Sequence, residues 1–108
     1  MNLLIAQCSR QTEPIAKVDE WLAQVPGWLR DAEKKLMGRR FGFENFYQTM
    51  DFVNAVAEIA HAQDHHPEMM VSFDACTVSF TTHNVHGLTL NDFICAAQVG
   101  ALPEATAE

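Results

Sequence analysis

Apolar residues early in the chain recur at helical spacing. Ile15, Val18, Leu22 and Val25 follow Thr12-Glu13-Pro14, which has the capping hydroxyl, first-turn acid and early proline of a helix start. Pro26-Gly27 ends that predicted helix. Residues 28–38 have no clean period, because Ala32-Glu33-Lys34-Lys35-Leu36-Met37 has helix-forming composition but stands only a few residues after a breaker. The period then becomes two: Met37, Arg39, Phe41 and Phe43 alternate with Gly38, Arg40 and Gly42, as in a strand with one face toward a core. Asn45, with Gln48 three residues on, can cap a long helix whose stripe is Phe46, Met50, Val53, Ala57 and Ala60, with Val56 and Ile59 beside it. Pro67 stops that helix, since the residue before proline is driven out of the helical region, and His65 and His66 are left at the exit. Met69, Val71 and Phe73 alternate. After a turn near Asp74-Ala75, Cys76, Val78 and Phe80 alternate against Thr77, Ser79 and Thr81, predicting two antiparallel strands. Thr89-x-x-Asp92 then opens a helix carrying Phe93, Ile94 and Ala97 that stops near Gly100, and the tail beyond Pro103 reads as frayed. Strand connections that are tight or filled by one helix argue α+β rather than doubly wound.

The chain's 108 residues fit one domain, residues 1–108, with its core at about 12–101 and a tail at 102–108. At 48% apolar and 19% charged residues, the composition is that of a globular protein and excludes wholesale disorder. A formal charge of −7 repels a phosphate backbone, so direct nucleic-acid binding is not expected. Cys8, Cys76 and Cys95 are too few and too scattered for a disulfide framework, which fits a reducing compartment. The first ten residues lack a basic n-region, and the apolar run at 3–6 is shorter than a signal or membrane segment needs. A cytoplasmic protein without membrane contact is the expectation. The sequence has no glycine-rich phosphate loop and no nucleophile elbow. Phe41, Phe43, Phe46 and Phe52 read as core rather than a stacking surface, since only Arg39-Arg40 adds positive charge nearby.

Four of the five histidines can converge: His61, His65 and His66 lie on or just past the last turn of the long helix, and His83 ends a strand. Imidazole gives and takes a proton near neutrality, so two of them across a small cavity can run a dehydration. One protonates a leaving hydroxyl while the other removes the proton whose loss forms the double bond. Plainer readings stand beside this one. His65 and His66 can cap free carbonyls at a helix C-terminus, His61 can be solvated, and Asp92 already has a place in the Thr89 capping box. A metal is the third reading, with His61 and His65 at i and i+4, His66 or His83 as a further ligand, and Asp64 or Glu68 nearby. His86, in a loop beside Gly87, receives no role.

These residues resemble the signature of the pterin-4a-carbinolamine dehydratase family. The signature is a charged or His residue, three spacers, His-His-Pro, an aromatic six positions after the proline, a His ten beyond that, and a downstream Asp. Here it reads His61, His65-His66-Pro67, Phe73, His83 and Asp92. The likeness extends upstream through Pro26-Gly27-Trp28 and the run Arg39-x-Phe41-x-Phe43-x-x-Phe46, covering about residues 26–100. It implies a hydro-lyase that dehydrates 4a-hydroxytetrahydropterin to quinonoid dihydropterin for recycling, with no metal and no organic cofactor. It also implies an antiparallel four-stranded sheet with about three helices on one face, assembled as a homodimer or homotetramer. On the implied roles, His65 and His83 transfer protons, His66 assists them and binds substrate, and His61, Phe73 and Asp92 complete the binding site. The same scaffold also implies an alternative, a non-enzymatic dimerisation or assembly module for other proteins. The chain departs from the family pattern at His61, where many members carry Glu, at Met69, often aromatic, at Asn91, commonly basic, and in the helix-forming composition of residues 30–37.

Overall fold

In the computed structural model, which describes residues 1–10, 12–31, 33 and 35–106, the chain runs α1 (Val18–Leu22), β1 (Leu29–Asp31), β2 (Leu36–Gly42), α2 (Phe46–Gln63), β3 (Glu68–Val71), β4 (Ala75–Phe80) and α3 (Leu90–Gly100). Short 3-10 turns stand at His83–Val85 and Pro103–Thr106. The strands form one antiparallel sheet in the order β1-β2-β4-β3, the α+β architecture with four strands and three helices.

Residues opposite one another in an antiparallel pair share a face. Met37 faces Phe80, and Phe41 faces Cys76; with Val78 these side chains are buried and form the floor of the core. The reverse face carries Gly38, Arg40, Thr77 and Ser79. Phe52 of α2 packs its ring 4.5 Å from Phe41 and 5.2 Å from Phe43, while Trp28 fits between Phe41 and Phe80 at 6.1 and 5.8 Å. Each large apolar side chain buried this way contributes roughly 1.5–3 kcal/mol.

Asn45 does cap α2, its Oδ1 accepting the Gln48 N–H at 2.9 Å. The buried face, however, is Thr49, Phe52, Val56 and Ala60, rotated about a quarter turn from the expected stripe, and Phe46 is half exposed. The rotation follows from Phe52, whose ring is the one that meets Phe41 and Phe43.

Four other expectations are corrected. The predicted first helix shrinks to five residues, because Ile15 donates its N–H to the Leu88 carbonyl at 2.9 Å and Lys17 turns left-handed (φ 57°) just before α1. The unperiodic stretch becomes a hairpin, with Leu29 opposite Gly38 and Asp31 opposite Leu36; its Ala32 and Lys34 lie outside the described residues. β3 ends at Val71, and Phe73 sits in the turn, 64% exposed. The tail is not frayed through its described part, since Ala105 is buried against the core; Leu3 is buried as well, so the core reaches beyond 12–101 at both ends. Among the described residues no helix is long and apolar enough to cross a membrane.

Candidate active site

Asp64 closes α2 in the left-handed conformation (φ 51°), its N–H donating toward the carbonyls of Ala60 and His61, and His65 donates its own N–H to Ala60 at 3.2 Å. Pro67 keeps His66 extended. Successive side chains of an extended segment point opposite ways, and here they do different things.

His65 turns inward. Its Nε2 lies 2.6 Å from Oδ1 of Asp92, its ring stacks on Phe80 with centroids 5.9 Å apart, and its side chain is 12% exposed. Asp92 is fully buried. Its Oδ2 accepts the Thr89 N–H and the Thr82 hydroxyl, both at 2.9 Å. Because Thr82 spends its hydrogen on Asp92, the 2.8 Å contact between the two threonine hydroxyls must be Thr89 donating to Thr82. Burial opposes charge on His65, but the hydrogen bond and negative charge of Asp92, aided by Cys8, outweigh it and raise the imidazole above its ordinary value. The capping acid and the site acid are therefore one residue.

His66 turns outward onto a cleft of about 310 Å³, where it meets Lys35, Glu68, Phe80, His83 and His86. That volume is at the small end of the range for small-molecule sites. The far wall is the loop after β4. Thr82 donates its N–H to the Gly87 carbonyl at 3.0 Å, closing residues 82–87 into a tight loop, and His86 donates its N–H to the His83 carbonyl at 3.1 Å. The closure places His83 and His86 on one rim, with His86 in the left-handed conformation (φ 54°).

The structure thus brings His66 and His83 together and sets His65 and Asp92 one layer deeper, behind the Phe80 ring. It does not bring in His61, which is exposed on the last turn of α2 and has no part in the cleft wall. Phe73 is also elsewhere: Thr49 donates its hydroxyl to the Phe73 carbonyl at 3.0 Å, near the other end of α2, roughly 20 Å away along the helix. Nor does a metal centre assemble, since among the described residues no three His, Cys, Asp or Glu are placed to hold one.

Two residues do work that sequence reasoning missed. His86 lines the cleft; its only sequence signal was the three-residue spacing from His83 ahead of a turn glycine. Asn91 pins the N-terminal segment, its Nδ2 donating to the Ser9 carbonyl at 2.7 Å and its Oδ1 accepting the Ser9 N–H at 2.9 Å.

The family model described as pterin 4 alpha carbinolamine dehydratase matches residues 13–102, which include every residue of this site. The chain belongs to that family. Among curated relatives of this dehydratase-family chain, one from Stenotrophomonas maltophilia (strain R551-3) is 52% identical over 89 residues, covering 82% of this chain and 77% of its own. Another, from Nitrosomonas eutropha, is 45% identical over 97 residues, with coverages of 88% and 85%. Both are provisionally named pterin-4-alpha-carbinolamine dehydratase. A crystal structure titled as a transcriptional coactivator/pterin dehydratase from Brucella melitensis superposes with a TM-score of 0.78 at 26% identity, covering 82% of this chain and 97% of that one. A second solved structure, titled a pterin dehydratase-like protein that is a RuBisCO assembly factor in the alpha-carboxysome, shares the fold at a TM-score of 0.63 and 19% identity, with coverages of 76% and 93%. The family match leaves out residues 1–12, part of which Asn91 holds in place.

Proposed function

We propose that this protein removes water from 4a-hydroxytetrahydropterin, giving quinonoid dihydropterin, in the cleft between His66 and His83. The observation that carries the reading is the 2.6 Å pairing of His65 with the buried Asp92, directly behind a cleft walled by two further signature imidazoles. The pairing divides the labour. Asp92 favours the imidazolium of His65 and engages its Nε2, so Nδ1 is the nitrogen left to give up a proton; because His65 stands behind the Phe80 ring, its role as the acid requires a pterin that reaches past that ring. His83, on the open wall, is the base. The acid protonates the C4a hydroxyl, the C4a–O bond breaks, and water leaves. The base takes the N5 proton as the N5 lone pair forms the C4a=N5 double bond. A proton returned from His83 to His65 through solvent closes the cycle, so the steps consume nothing but the substrate. His66, exposed on the cleft, holds the pterin.

Recycling of a pterin cofactor in a reducing cytoplasm is part of the same proposal, as is assembly into a homodimer or homotetramer. β3 is an edge strand, and Met70 on it and Phe73 beyond it are 75% and 64% exposed, apolar surface that a second copy would cover. Phe73 can approach a pterin only in such an assembly. His61 has no role within one chain. The same exposed edge favours a second reading, a protein-assembly module. Partner binding that persists in a His65→Ala/His83→Ala double variant, with no catalysis by the wild type, would select it.

The deciding experiment follows the decay of chemically generated 4a-hydroxytetrahydropterin by stopped flow, with and without protein, since uncatalysed dehydration is itself appreciable. The wild type accelerates it, and His83→Ala loses about 10²- to 10⁴-fold of that acceleration while remaining folded. An unchanged rate in His83→Ala would remove His83 from the chemistry.

A further inference from the structure

Side-chain amides from two helices hold the N-terminal segment. Gln63 of α2 accepts the Cys8 N–H at 2.8 Å and donates to the Ala6 carbonyl at 3.1 Å; Gln98 of α3 donates to the carbonyls of Leu3 and Ala6; Asn91 pairs with Ser9 on both sides. The backbone of this segment, which belongs to no strand, therefore has side-chain partners where a strand would have a neighbour. The clamp sets one side chain with care. Cys8 Sγ stands 3.7 Å from Cys95 Sγ and 3.7 Å from the Asn91 carbonyl, although 87 residues separate the two cysteines. Cys95 is fully buried on α3, whereas Cys8 is partly open to solvent.

We propose that Cys8 and Cys95 form a peroxide-oxidisable dithiol whose disulfide fastens the N-terminal segment to α3 beside the His65–Asp92 pair. The division of roles follows from exposure. Cys8 is the sulfur a hydroperoxide can reach, and Cys95 is the resolving thiol that only Cys8 can reach. In the first step the Cys8 thiolate attacks one peroxide oxygen, the O–O bond breaks, and Cys8 sulfenic acid forms with hydroxide as leaving group. In the second, Cys95 gives its proton to that hydroxide, its sulfur attacks Cys8 Sγ, the S–O bond breaks, and the sulfenic oxygen leaves as hydroxide, which becomes water with the proton that Cys8 released to solvent on forming its thiolate. Two thiols are oxidised by two electrons, and one hydrogen peroxide is reduced to two waters.

Electrostatics support the same division. The Cys95 S–H donating to Cys8, with help from the His65 charge, holds the Cys8 thiol below its ordinary value, while Cys95 is raised by donating that hydrogen and by burial. The third thiol is an internal control: burial alone pushes Cys76 up to about 11, and nothing pairs with its sulfur among the described contacts.

Titration of the native protein with hydrogen peroxide, read by free-thiol counting and peptide mapping under non-reducing conditions, tests the proposal without any assay of dehydration. The expected result is loss of two of the three thiols, a Cys8–Cys95 linked peptide within the monomer, and full recovery with dithiothreitol. Cys76→Ser should behave as wild type, and Cys8→Ser should keep its remaining thiols. Cys95→Ala should stop at oxidised Cys8 with no linked peptide, and Cys8→Ser keeps the test open should Cys95→Ala fail to fold. No loss of thiols, a linkage between two chains, or Cys8 sulfinic acid beside a free Cys95 would overturn the proposal.

Discussion

Neighbouring residues of α3 serve two regions that share a backbone but not a chemistry. On one side Asp92, a buried charge, accepts from Thr82 and from the Thr89 backbone and pairs with the imidazole of His65. On the other, Asn91 and Gln98, with Gln63 across from α2, use neutral amides to hold the backbone of residues 3–9. Both regions satisfy buried polar groups, as any interior must. The difference lies in the groups that hold each region together: the first is held by a titratable pair whose state can change, and the second by neutral amides that do not titrate. A carboxylate aimed at an imidazole beside a cleft selects a protonation state; an amide aimed at a peptide selects a position. The first is the arrangement that acid catalysis needs, and the second fixes the position of the adjoining segment.

Asp92→Asn should break the contrast most sharply. It keeps the shape and removes the charge from a buried pair, so we expect a loss of about 3 kcal/mol or more in urea denaturation, together with a large drop in dehydration rate. Asn91→Ala comes next. Losing the two bonds to Ser9 should cost about 1–2 kcal/mol and speed amide exchange in residues 3–9, with the rate of dehydration retained. The third effect is pH dependence. Because the folded-state value of His65 is raised, its contribution to stability is fully present below its unfolded value of about 6.5 and disappears as pH rises through the folded value. Denaturation midpoints measured upward from about pH 6 should show this decline in the wild type and lose it in Asp92→Asn. The smallest effect belongs to His61→Gln, which should stay within about 0.5 kcal/mol of wild type and dehydrate at the same rate, since His61 is exposed and outside the cleft.

Much of the fold was legible where a local signal and the tertiary demand agreed. Asn45, the proline after His66, the β4 alternation and the Thr89-x-x-Asp92 pattern each specify a boundary that the structure keeps. Misreadings arose where a distant partner outbid a local preference. Thr12-Glu13-Pro14 reads as a helix start, but the Leu88 carbonyl takes the Ile15 N–H and draws that stretch out of a helix. Residues 28–38 have helix-forming charges, yet β2 needs a partner for its free edge and obtains it from Leu29–Asp31. The α2 stripe was misplaced because Thr49, polar by type, is buried with its hydroxyl donating to the carbonyls of Asn45 and Phe73. At the site, the spacing of His65, His66 and His83 placed them at adjoining element ends, but which imidazole faces the cleft and which pairs with Asp92 is decided by the Asp64 turn. His86 could not be weighed before the closure of residues 82–87 was known. Asn91 looked like a departure from a family pattern; its actual partner, Ser9, lies 82 positions away.

Where a pterin sits tests the acid and base roles most directly. With the imidazole C–H signals assigned, titration of the protein with a dihydropterin should shift His66, His83 and His86 in NMR spectra and leave His61 unmoved. A shift at His61 with His66 and His83 unchanged would place the ligand outside the cleft and contradict the acid and base roles derived for His65 and His83.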